Sequence, residues 1–202
     1  MTGLGCGVAP FTHLPIYPYT HILFNVQRFT LRALRSNVAD EKPIEYTGSI
    51  MKLTPEEKKI YKNFLPGVIS KAGFMGEDRR HIHEIAAEDL RILSASGTDQ
   101  VQVADRLQFF IDVGRAGLEN PVDIDRFTVE VRWARGRISC PFSHPGSYPL
   151  IHVKLNDRIA GKTLIYSQLS VHLIRQHGFF GGIGSIYRVN PLDVIEMMKA
   201  NI

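Results

Sequence analysis

Cysteine is scarce in this chain. Cys6 and Cys140 are the only two among 202 residues, one in a loose leader and one in an expected sheet, which excludes a disulfide-stapled fold. Stability must come from a packed interior, and a chain of this length hides roughly 70% of its unfolded surface on folding. Long apolar runs are missing too. Even Ile22–Leu34 is interrupted by Asn25, Gln27, Arg28 and Arg32, whereas a membrane span needs roughly 18 or more uninterrupted apolar residues. Residues 1–19 lack a basic segment ahead of an apolar one and are broken by Gly3, Gly5, Gly7, Pro10, Pro15 and Pro18, so they do not read as a signal peptide. These absences lead us to expect a soluble, cytoplasmic protein with no membrane partner, in a reducing compartment.

What is present is ordinary globular material, 44% hydrophobic and 22% charged, neither disordered nor fibrous. The formal charge of +4 and pI near 9.1 favour acidic partners at long range without singling out nucleic acid. Glycine and proline recur through residues 1–18, which read as an irregular arm; its Pro15-Ile16-Tyr17-Pro18 has the spacing of a PxxP ligand. From Thr20 to Ser36 the apolar residues Ile22, Val26, Phe29 and Ala33 recur at helical spacing. Arg28, Arg32 and Arg35 line one face of that helix, a short basic stripe that an acidic partner or nucleic acid could meet.

Thr54-Pro55-Glu56-Glu57 is a capping box with proline at the first helical position, and Pro66 should end or kink the helix. A short second helix over 66–73, a helix over Glu77–Leu93 and another capped at Thr98-Asp99 complete a helical layer. After Asn120-Pro121 the apolar period drops to two. Phe127, Val129, Val131 and Trp133 alternate with polar residues, the pattern of a strand with one buried face. Ala134-Arg135-Gly136 is read as a turn into Arg137–Cys140, with further strands at Leu150–Leu155, Gly161–Tyr166 and Ile186–Val189. Ser167 caps a helix to His177, and Asn190-Pro191 opens the last one. The expected class is α+β: an N-terminal helical layer packed with a mainly antiparallel sheet in the C-terminal half, in the order helices and then β-β-β-α-β-α. The expected division is an arm over 1–18 and one domain over 19–202, helical over 19–118 and sheet-containing over 122–202.

The sharpest chemical constellation is Cys140-Pro141-Phe142-Ser143-His144 followed by His172 and His177. Cys and His four apart in a turn after a strand can share a cation, and two later histidines separated by four residues fall within the spacing of paired ligands. The segment from Ser167 to Gly178 resembles the helix of a C2H2 zinc finger, preceded by a strand hairpin. It departs from that pattern because the knuckle is Cys and His, and the interval to His172 is about twice the usual length. On a regular helix residues five apart lie about 140° away from each other, so His177 is expected to join only if the last turn loosens. The same residues permit a nucleophile reading, with His144, His152 or His172 as base to Cys140.

Two other clusters read as structural. His81, Glu84 and Glu88 share a helix face that His83 leaves, with Glu88 and Arg91 an ordinary surface pair. Phe179-Phe180-Gly181-Gly182-Ile183-Gly184-Ser185 is glycine-rich enough to cradle an anion but lacks the strand-before, helix-after context of a nucleotide loop. The leading expectation is a non-enzymatic macromolecule-binding or adaptor protein, its partner a protein and its cofactor none or zinc. The alternatives are a thiol- or zinc-dependent hydrolase centred on Cys140, His144 and His172, and a basic nucleic-acid-binding module. The candidate metal ligands are Cys140, His144, His172 and His177.

Overall fold

Four N-cap signals act where the sequence places them. In the computed structural model, which describes residues 54–199, Thr54 and Glu57 close a capping box on α1, Pro55–Asn63. Asp99 does the same with Gln102 for α3, Gln100–Arg115, and Ser167 with Ser170 for α4, Gln168–His177. Asn190 accepts from the Leu192 amide at the start of α5, Pro191–Met198. Each cap satisfies amides that a helix start otherwise leaves without partners. Helix α2, Ile82–Ala95, starts later than expected because His81 itself is the cap, reciprocated by Glu84.

The strands are β1, Val122–Ile124; β2, Phe127–Ser139; β3, Ser147–Asp157; and β4, Lys162–Ser167. They form one antiparallel sheet in sequence order, so helices precede sheet in an α+β arrangement, as expected. Four details differ. Residues 66–73 are turns rather than a helix. β2 is one strand, not two joined by a turn: its register with β3 slips between Ala134 and Arg137, with Gly136 at φ 115°, so two extra residues bulge without ending the pairing. Ile186–Val189 is not a strand, and Val122–Ile124 is a short strand that was not expected, so the order is β-β-β-β-α-α. The Arg188 amide instead closes a turn on the Ser185 carbonyl, and Val189 donates to Phe180. Ile186 is 61% exposed, so the alternation there was not the mark of a buried face.

Two apolar clusters share α4. One joins α3 to the inner face of the sheet, where Leu107, Phe110 and Ile111 meet Phe127, Val129 and Val131; each such side chain contributes about 1.5–3 kcal/mol. Gly114 permits that approach, since a Cβ there would lie 2.4 Å from Val131 Cγ2. The other cluster gathers Phe64, Ile85, Cys140, Leu169, Leu173 and Phe179. α4 thus buries Val171 and Ile174 on one side and Leu169 and Leu173 on the other, leaving His172 and His177 half-buried between solvent and core.

Among the described residues no helix is long and apolar enough to cross a membrane. The arm, its PxxP segment, Cys6 and the Arg28, Arg32 and Arg35 stripe lie outside the described residues.

Candidate metal centre

The β2–β3 connection is a tight knuckle built by its own residues. Ser143 donates its amide to the Cys140 carbonyl at 3.2 Å and holds φ at 65°, an unusual conformation for a residue with a side chain. Asn63, at the end of α1, braces it by donating to the Pro141 carbonyl at 3.0 Å and to Ser143 Oγ at 2.9 Å. This fixes Cys140 and His144 against α4. At the other side Gly178 takes φ 60°, with its amide on Ile174 and that of Phe179 on Leu173. That left-handed cap stops the helix just past His177.

The four predicted ligand atoms, Cys140 Sγ and Nε2 of His144, His172 and His177, lie within 4.8 Å of one another. His144 Nε2 is 2.8 Å from His172 Nε2 and 3.0 Å from His177 Nε2, and Cys140 Sγ is 3.5 Å from His177 Nε2. Zinc bonds of about 2.0–2.1 Å to nitrogen and 2.3 Å to sulfur imply tetrahedron edges of about 3.3 Å between nitrogens and 3.6 Å between nitrogen and sulfur. These three pairs need adjustments of tenths of an ångström to suit a tetrahedral ion, and the wider separations, up to 4.8 Å, need closing by about 1 Å. No loosening of the last helical turn is needed: α4 remains helical through His177, and both of its imidazoles reach the cluster through their far nitrogens.

Outer contacts orient the rings. His144 Nδ1 lies 2.9 Å from the Pro145 carbonyl, an acceptor only, so Nδ1 carries a proton and Nε2 is the nitrogen turned toward the cluster. Tyr148 Oη is 2.8 Å from His172 Nδ1 and the two rings stack. Phe142 stacks on His177 with centroids 3.9 Å apart. Burial, reinforced by the charge of His144, pushes the pKa values of His172 and His177 down to about 4, so both are neutral near pH 7. Burial pushes the Cys140 thiol up, partly offset by the Phe142 amide; a bound cation reverses that by favouring thiolate. The three imidazoles, with Tyr148 and Gln176, face a shallow depression of about 340 Å³, while Cys140 is only 2% exposed beneath them.

The structure brings together every predicted ligand and separates the other candidates. His152, the remaining candidate base, is engaged with Tyr187 Oη at 2.7 Å and is not a member of the cluster. Glu88 pairs with Arg91, and Asp89 is buried against Arg188. The glycine-rich loop does meet an anion, but it is Asp78, whose Oδ2 accepts from the Ile183 amide at 3.2 Å. Tyr148, Phe142 and Asn63 were missed by sequence reasoning; only the position of Tyr148 four residues after His144 hints at a supporting role.

Fold and site together define an α+β domain carrying a Cys/His₃ cluster between a hairpin tip and a helix end. No protein-family model, curated protein or solved structure matches this chain.

Proposed function

We propose that this is a non-enzymatic binding domain whose C-terminal half is tied together by one zinc ion, ligated by Cys140, His144, His172 and His177. The observation that carries the reading is the convergence of four ligand atoms within 4.8 Å from two separate elements. Four protein donors fill a tetrahedron and leave no position for water or substrate, the arrangement of structural rather than catalytic zinc. The hydrolase alternative requires an open coordination site or an accessible thiolate. A thiol 2% exposed among Phe64, Leu169 and Phe179 suits a ligand better than a nucleophile.

Metal analysis of full-length protein purified without chelator tests this directly, with about one zinc per chain expected. Removing zinc should lower the melting temperature by about 10 °C, since a ligand at a thousand times its Kd contributes about 4 kcal/mol. Added zinc should restore it in the parent but not in Cys140→Ser or His172→Ala. Metal-free protein whose melting ignores added zinc would sink the proposal.

A further inference from the structure

The charge of the chain is concentrated in one hairpin. Between Val131 and Asn156 there is no aspartate or glutamate, while Arg132, Arg135, Arg137 and Lys154 lie within that span. Those four equal the chain's entire formal excess of +4; the remaining Lys and Arg are matched by the 20 Asp and Glu.

The hairpin divides this charge between its faces. Glu130 accepts from Arg132 at 2.6 Å and lies across from Lys154 in the β2–β3 register, which neutralises much of the outer face. On the other face the register pairs Trp133 with Ile151 and, beyond the bulge, Arg137 with Pro149, making Trp133 and Arg137 successive neighbours on that face of the ribbon. Arg137 is steadied by Ser147, whose Oγ accepts from its Nε at 2.7 Å and whose carbonyl accepts from Nη2. No carboxylate pairs with Arg137 or with the exposed Arg135 among the described residues. Trp133, the only tryptophan of the chain, is 43% exposed at this place.

We propose that this part of the β2–β3 hairpin binds single-stranded nucleic acid, a base stacking on Trp133 while Arg137 on the same face and the exposed Arg135 in the bulge between them hold phosphates. An accessible indole beside uncompensated guanidiniums supplies both parts of such a site: a flat surface that accepts any base and charges that track the backbone. A duplex keeps its bases stacked on each other and offers the indole nothing, so the unpaired strand is the occupant. The surface is distinct from the metal cluster, and the proposal stands whether or not zinc is bound.

The lone tryptophan makes the test direct. Full-length protein at about 50 mM salt is titrated with oligo(dT) and oligo(U) of about 12 nucleotides, following tryptophan emission and, in parallel, anisotropy of end-labelled strands. Expected are quenching that tracks binding and an affinity falling with salt. Because each phosphate contact adds about 0.7 to the single-strand salt slope, the R135A/R137A variant should lose about 1.4 of slope. Trp133→Phe should bind about tenfold more weakly at unchanged thermal stability. The proposal is overturned by no binding at low salt, by binding that leaves the emission unchanged, by an unaltered slope in the double variant, or by equal affinity for a duplex of the same length. Zinc content of the same samples is measured separately, so the two proposals can fail independently.

Discussion

Tyr148 shows how much rides on one hydroxyl. In a metal-free cluster His172 Nε2–H can donate to the lone pair of His144, leaving His172 Nδ1 to accept from the phenol. With a cation at Nε2 the proton moves to Nδ1 and the phenol becomes the acceptor. The 2.8 Å contact serves both arrangements, and such outer partners typically hold 10–100-fold of metal affinity. Tyr148→Phe keeps the ring that stacks on His172 and removes only this partner. Zinc affinity measured by chelator competition should fall by that factor, while metal-free stability changes by less than about 1 kcal/mol. An unchanged affinity would separate Tyr148 from the cluster.

Among the elements, the glycine loop after α4 is held by contact rather than by ligand. Gly182 donates to the Phe74 carbonyl at 3.0 Å, and Glu77 donates to the Ile183 carbonyl at 2.7 Å. A Cβ on Gly182 would lie 2.1 Å from the Met75 carbonyl oxygen, and backbone does not yield as a flexible side chain does. Gly182→Ala should therefore cost about 1–3 kcal/mol in denaturant unfolding, against a negligible effect at Gly161→Asn, where φ is 65° and nothing lies within 4 Å. The caps of α1, α3, α4 and α5 were legible in sequence because each is a local exchange between a side chain and amides two or three residues away. The Cys140, His144 and His172 grouping was legible because a turn after a strand and a helix face are both short-range predictions. His177 was harder, since its place depends on side-chain reach and on Gly178, and the β2 bulge was hidden because Arg135-Gly136 suits a turn as well as a bulge. The false strand at Ile186–Val189 failed for a related reason: alternation reports a buried face only when a layer exists to bury it.

At the scale of the whole molecule, one buried carboxylate links segments far apart in the chain. Asp78, its side chain 2% exposed, receives Arg80 Nη2 at 2.6 Å and the Ile183 amide, tying the approach to α2 to the loop after α4. The Arg80 hydrogen bonds hold its carboxyl down at about 2. Because the folded pKa lies below the ordinary value near 3.9, the unfolded chain takes up this proton first as pH falls. The stabilisation is therefore whole above about pH 4 and lost on going down to about pH 2. It amounts to at most about 2 kcal/mol, since Arg80 is itself 37% exposed and screened by solvent. Asp78→Asn should remove that part of the acid dependence in urea midpoints measured between pH 5 and 2, and an unaltered profile would show that Asp78 is not its source.

The donor atoms of the cluster are divided between a knuckle at 140–144 and a helix end at 172–177, with β3 and β4 made in between. During synthesis the first pair emerges from the ribosome before the second, so until α4 is out a nascent chain offers from this set only a thiol and one imidazole, too weak a grip to keep an ion. Capture at the full set must await the end of α4, and occupancy would then mark a chain whose sheet has already closed.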